Sequence, residues 1–287
     1  MNLVESVFEI AESFMANCKD VVIDNWQTQL LAARMKEEGP TKFPPKESND
    51  IYKTCLLELI GNSINYCYWY GRHDIRPNGA SSTTMFEVLD LSFEQYRESG
   101  FPSIFTFAMC IEEFIAALSY YRFPMLEERA NHLRELIKVG ESFVKDIIEN
   151  HTDEDFERHL KFLVCAFPGY GSDMFLKRAS LFFLQLYRNF GWFKNAIHKL
   201  PVPADYQVPK MLAHYGCISY SQELQEKISK SSLIQKHSRE ECEIRAATIL
   251  ACKRICDLTE WNISDVDGWL WLKKRNIPFH LCITTDY

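Results

Sequence analysis

The chain has 287 residues, 47% apolar and 25% charged, the balance of a soluble globular protein with room for one large domain or two small ones. A net charge of −7 argues against broad nucleic-acid binding, which needs a basic face to neutralise phosphates, while a small anionic ligand needs only a few local basic groups. The ten cysteines form no CxxC pair, and no signal peptide or bilayer-length apolar run is recognised, so a reduced, cytoplasmic setting with buried free thiols is expected rather than a zinc site.

Helical periodicity dominates in chain order. LVESVFEIAESFMANC places Val4, Phe8, Ala11 and Met15 on one face, and IDNWQTQLLAARM restarts behind Asp24 as a cap. GPTKFPPKESND at 39–50 reads as a loop, then IYKTCLLELIGNSINYCYWY as a largely apolar, buried helix. A second loop spans 71–84, short helices lie near 84–98 and 104–119, and PMLEERANHLRELIKVGESFVKDIIEN reads as one long amphipathic helix. The second half alternates helical segments (DEDFERHLKFLVCAF, MFLKRASLFFLQLYRNF, SYSQELQEKISK, SREECEIRAATILACKRICDL) with Pro/Gly bends. Alternating β patterns are almost absent and no composition shift divides the chain, so the expected fold is all-α, a single domain over 1–287. There is no Gly-rich phosphate loop, no GxSxG elbow and no HExxH.

Five short stretches place polar groups in apolar surroundings. In LPVPADYQVPKML, prolines bracket Asp205 and fix the backbone; helix capping is its bland role, and a rigid chemical carboxylate the sharper one. SINYCYWYG crowds Asn65, Tyr66, Tyr68 and Trp69, as core or as a platform for a flat heterocycle. In FPGYGSDMFLKRASLF, Asp173 reads as a cap, and the basic pair Lys177–Arg178 is hard to place on a solvated face. REECEIRAATI puts Glu241, Arg245 and Thr248 on one stripe, as an intrahelical pair or as an ion pair organising another segment. The tail VDGWLWLKKRNIPFHLCITTDY has the aromatic content of a segment that docks back onto the body.

Taken in order, these stretches resemble the queuosine salvage protein family, the queuosine 5′-phosphate N-glycosylases. The likeness runs from ESFMANCKDVVIDNWQTQLLAARM through LLELIGNSINYCYWYG, FPMLEERANHLRELI, FPGYGSDMFLKRASLFFLQLY, LPVPADYQVPKMLAHYGCISYSQEL and ECEIRAATI to the tail. The resemblance implies an all-helical fold related to helix-hairpin-helix DNA glycosylases, serving a small nucleotide rather than a duplex. It implies hydrolysis of the N-glycosidic bond of queuosine 5′-phosphate, giving queuine and ribose 5-phosphate, with no metal or organic cofactor. A monomer with no direct nucleic-acid or membrane partner is expected.

The same resemblance makes Asp205 the catalytic carboxylate and Asp173 the group that holds the base. Positive charge develops on the sugar as the bond breaks, and a fixed carboxylate beside C1′ stabilises it and can deprotonate water. Trp69, Tyr66 and Tyr206 become candidate pocket walls with Phe175 behind, Lys177 and more weakly His280 candidate phosphate ligands, and Glu241, Arg245 and Asp267 supports of the site. The chain departs from the family pattern at Pro203 (Phe in relatives), Gln207 (Arg in relatives) and the tail, where only His280 of a basic group stands. Those departures motivate the alternative of a non-catalytic or substrate-shifted relative.

Overall fold

The computed structural model describes residues 3–41, 50–71, 79–98, 111–273 and 275–287. Its elements are α1 (Leu3–Ala16), β1 (Val21–Ile23), α2 (Asn25–Glu38), α3 (Ile51–Ser63), α4 (Ser82–Glu98), α5 (Ile111–Tyr120), α6 (Leu126–Ile137), α7 (Gly140–Glu149), α8 (Phe156–Ala166), α9 (Pro168–Gly171) and α10 (Lys177–Phe190). A 3₁₀ turn at Ala196–Lys199 leads to α11 (Gln207–His214), β2 (Ile218–Tyr220), α12 (Gln222–Ser229), α13 (Arg239–Thr259) and α14 (Ile263–Leu272). The fold is mostly helical, as the periodicity predicts. The residues expected to open the 104–119 helix, and much of the two early loops, lie outside the described residues.

Local chemistry explains the helix starts. Asp24 accepts hydrogen bonds from the Trp26 and Gln27 N–H groups, Asp50 from Lys53, Ser221 from Leu224, Ser238 from Glu241 and Asn262 from Asp265. Each such bond satisfies an N–H that has no partner within its helix. On α1, Val4, Val7 and Ala11 are buried and Phe8 and Met15 half-buried, against the central helix α13.

Three expectations need correction. The segment 51–70 is not one helix: α3 stops at Ser63, and the next residues run irregularly with Cys67 at φ 36°. The buried Arg129 guanidinium replaces the missing helical bonds, donating to the carbonyls of Ile64, of Tyr66 at 2.6 Å, of Cys67 at 2.7 Å and of Pro124 at 2.9 Å. The long amphipathic helix divides between Ile137 and Gly140, where Val139 leaves helical geometry (φ −136°, ψ 0°) and Gly140, a poor helix former, begins α7 buried. A two-stranded antiparallel sheet also forms, pairing Val21 with Tyr220 and Ile23 with Ile218. Three-residue strands carry too little alternation to register as a pattern.

The tail does dock. The Ile234 N–H donates to the Leu281 carbonyl at 2.7 Å, and the Cys67 N–H donates to the carbonyl of Tyr287 at 2.9 Å. Among the described cysteines, Cys165 is exposed and Cys18 and Cys256 are half-buried, so burial of the thiols is not uniform. Among the described residues no helix is long and apolar enough to cross a membrane.

Candidate active site

A cavity of about 440 Å³ opens where α3, α4, α10, α11 and α14 meet the tail. Its wall includes Glu58, Asn65, Tyr68, Ser81–Thr83, Phe86, Lys177, Gln185, Arg188, Pro203, Asp205, Tyr206, Gln207, Asp267, Trp271 and Tyr287. Gly61 on α3 lets the Phe86 ring close one side, since a Cβ there would collide with that ring.

Asp205 sits just before α11. Its Oδ1 accepts from the Gln207 N–H at 2.7 Å and the Val208 N–H at 3.1 Å, so it is indeed the cap of that helix. Oδ2 accepts no hydrogen bond from the described residues, which leaves one carboxylate oxygen for the cavity. Burial pushes this carboxyl above its ordinary value of 3.8, opposed by the Lys177 charge and the two N–H bonds and reinforced by Asp267. Lys177 opens α10 with its ammonium buried, donating to the Asn65 carbonyl at 2.9 Å. Desolvation lowers its pKa to about 8 despite the attraction of Asp205 and Asp173.

Asp267 is held by Arg188 through a 2.8 Å ion pair, and Arg188 also donates to the side chain and carbonyl of Ser264. A polar chain runs along the opposite wall. Tyr68 Oη donates to Asn65 Oδ1 at 2.6 Å, Asn65 Nδ2 to Asn62 Oδ1 at 3.2 Å, and Asn62 Nδ2 to Glu58 Oε2 at 3.1 Å.

Of the residues singled out in the sequence, Asp205, Lys177, Tyr206 and Asp267 meet in this cavity together with Asn65, Tyr68, Pro203 and Gln207, whereas Asp173, Tyr66, Trp69, Phe175, Glu241, Arg245 and His280 are not part of its wall. Asp173 is fully engaged: Oδ1 accepts from the Phe175 N–H and Arg245 Nη1, and Oδ2 from the Lys177 N–H and Arg245 Nη2, all at 2.7–3.0 Å. Burial raises its pKa, but the Arg245 charge and these donors outweigh burial and hold the carboxyl below its ordinary value. Arg245 also donates to the Ala204 carbonyl at 2.9 Å, which ties the Asp173 turn to the loop carrying Asp205. Glu241 lies 3.5 Å from the same guanidinium. Phe175 and Tyr287 sandwich that guanidinium at 4.8 and 4.7 Å.

Trp69 is wholly buried, donates Nε1–H to the Cys282 carbonyl at 3.0 Å and meets the Tyr206 ring edge-on at 4.9 Å. Tyr66 lies under Arg129 and Arg178, 4.4 and 5.0 Å from their guanidinium carbons. His280 is buried beside Tyr287, Nε2 to Oη 3.1 Å, and desolvation and Arg245 push its pKa down to about 3. It therefore stays neutral at physiological pH and reaches the cavity only through Tyr287.

The sequence reading missed Glu58, Arg188 and the chain-terminal Tyr287. A signal existed for Glu58, a lone acid in the apolar run CLLELIGN; none existed for Tyr287, whose place depends on the docked tail. Among the described residues no three His, Cys, Asp or Glu side chains gather as a metal site.

Comparison with known proteins places the chain in a family. The family model described as queuosine salvage protein matches residues 46–278. A Sphaerobacter thermophilus protein named queuosine 5′-phosphate N-glycosylase/hydrolase is 30% identical to the chain, over 99% of this chain and 91% of its own length. A Schizosaccharomyces pombe protein of the same name is 28% identical over 92% of the chain and 90% of its own length, and one from Bos taurus 29% identical over 55% and 56%.

Proposed function

The chain belongs to the queuosine salvage protein family, and from that premise we propose that it hydrolyses the N-glycosidic bond of queuosine 5′-phosphate, releasing queuine and ribose 5-phosphate. The observation that carries the reading is the Asp205 carboxylate: one oxygen is locked by two backbone N–H groups and the other is turned to a cavity of nucleotide-binding size. As the bond to the base lengthens, Asp205 stabilises the cationic sugar carbon and takes a proton from the water whose oxygen bonds to C1′, while the base leaves with the C1′–N electron pair and takes up a proton from solvent. Burial raises its pKa, which makes the carboxylate a stronger base. The Lys177 charge in the same wall opposes that rise and favours the ionised form.

The expected part of Asp173 in holding the base passes, in this reading, to Glu58. Asp173 spends both oxygens on the Arg245 guanidinium and the α10 start, whereas the buried Glu58, whose oxygens accept from the neutral amides of Asn62 and Asn189, belongs to the cavity wall. A carboxylate there accepts from the N–H donors of a guanine-like edge. Tyr206 and Trp271 supply flat apolar surface for the rings. Lys177 and Arg188, the cations in the wall, offset the phosphate charge. The free thiols fit a cytoplasmic setting.

The test is release of free queuine from queuosine 5′-phosphate by wild-type protein and by Asp205→Asn. Turnover by wild type and its collapse in the variant support the assignment. Equal release by both, or tight binding without turnover, overturns it.

A further inference from the structure

Eight buried side-chain polar atoms have no hydrogen-bond partner among the described residues, and Gln207 Nε2 is the one whose residue lines the main cavity. Gln207 is only 4% exposed. Its backbone is committed, since it opens α11 and its N–H is one of the two that grip Asp205. Its side-chain amide is not. A buried amide without a partner is destabilising, and a shape-matched apolar side chain would avoid that cost. Buried polar groups are nearly always satisfied, so an orphan donor on a residue of the cavity wall marks a partner that arrives with the ligand.

The position narrows what that partner is. Gln207 follows Asp205 by two residues and turns around the same carboxylate, so its amide lies within a side chain's reach of the oxygen placed beside the sugar. The amide is neutral and suits a neutral oxygen. The phosphate has Lys177 and Arg188 in the same wall, and the base edge has Glu58. Where the family resemblance implies an arginine, this chain therefore presents an uncharged donor next to the reacting carbon.

We propose that Gln207 is a specificity residue for the sugar, its amide N–H donating to a ribose hydroxyl oxygen of the bound nucleotide. This rests on the proposed hydrolysis and adds the group that reads the ribose. It also explains why an unsatisfied amide persists: it is stranded in the empty protein and satisfied in the complex.

The experiment compares wild type with Gln207→Leu on queuosine 5′-phosphate and on its 2′-deoxy and 3′-deoxy counterparts. With the ribonucleotide, the variant's kcat/KM falls roughly ten- to hundredfold, the cost of an unmade bond to a buried polar group. With the deoxy analogue that lacks the partnered hydroxyl, wild type and variant differ by less than about threefold, because nothing is left to lose. Gln207→Leu also melts no lower than wild type, which separates a ligand role from a structural one. An unchanged kcat/KM on the ribonucleotide, an equal loss on all three substrates, or a lowered melting temperature overturns the proposal. Equilibrium binding of the same three nucleotides to Asp205→Asn and to Asp205→Asn/Gln207→Leu gives the same comparison without turnover. If wild type releases no base, the proposed hydrolysis falls, while this binding comparison still decides the role of Gln207.

Discussion

Asp173 and Asp205 begin from the same local device and end in opposite chemical states. Each precedes a helix and accepts two backbone N–H bonds, Asp173 from Phe175 and Lys177, Asp205 from Gln207 and Val208. Asp173 then receives the Arg245 fork on both oxygens, and its pKa is held down. Asp205 receives no such partner and its pKa is pushed up. Capping fixes where a carboxylate points; its remaining partner decides whether it is structure or chemistry. A bidentate guanidinium uses up the acceptor capacity a substrate would need, whereas a nearby ammonium leaves an oxygen available.

Substitution at the two positions should separate these roles. Asp205→Asn keeps an oxygen for the α11 cap, so the fold holds, while base release falls roughly 10³-fold, in the range for removing a positioned acid–base group. The matched change Asp173→Asn strands part of the Arg245 charge and costs about 3 kcal/mol of stability in urea unfolding. Arg245→Met in the Asp173→Asn background should recover part of that loss, since the stranded guanidinium is then removed. The comparison breaks if Asp173→Asn unfolds like wild type and fails only in turnover.

How far the sequence foretold this depends on how local each feature is. The turn-closing carboxylates Asp24 and Asp205 were legible because such a role needs only an acid and the next few N–H groups, whereas Asp173, expected as a cap, closes the turn before α10 four residues ahead of Lys177. The helical class was legible because the apolar period repeats along nearly every segment. The break after Ser63 was not, because it depends on Arg129, more than sixty residues away, donating to carbonyls that a helix would have used. The cavity wall was only partly legible for the same reason. Asp205 and Tyr206 share one stretch with Gln207, but Glu58, Arg188 and the tail residues Asp267 and Tyr287 come from three others, and only tertiary packing brings them together. Tyr66, Trp69 and Phe175 had the composition of pocket walls, yet each braces a neighbour from one layer further in.

The electrostatic half of the comparison predicts a pH profile. Lys177 carries its charge below about 8 and loses it above. If that charge keeps Asp205 ionised and meets the phosphate, kcat/KM falls by about tenfold per pH unit above that point. The acid limb belongs to Asp205: its raised pKa means the carboxylate is lost as pH falls through a value above 3.8. Lys177→Gln should be slower at pH 7 and show no alkaline limb near 8. A wild-type profile flat to pH 9.5 would sink this role for Lys177.

The smallest expected effect distinguishes the two aromatic layers. Tyr206 is in the cavity wall, and Trp69 supports it edge-on from behind, anchored to the Cys282 carbonyl. Tyr206→Leu removes surface that meets the rings of the ligand and should raise KM about tenfold. Trp69→Phe keeps most of the edge contact but strands the Cys282 carbonyl, so it should cost about 1 kcal/mol of stability and move KM less than about threefold. Measured together, KM and urea midpoint should move in opposite proportions in the two variants. A KM effect larger in Trp69→Phe than in Tyr206→Leu would place the stacking surface on Trp69 and reverse the order of the layers.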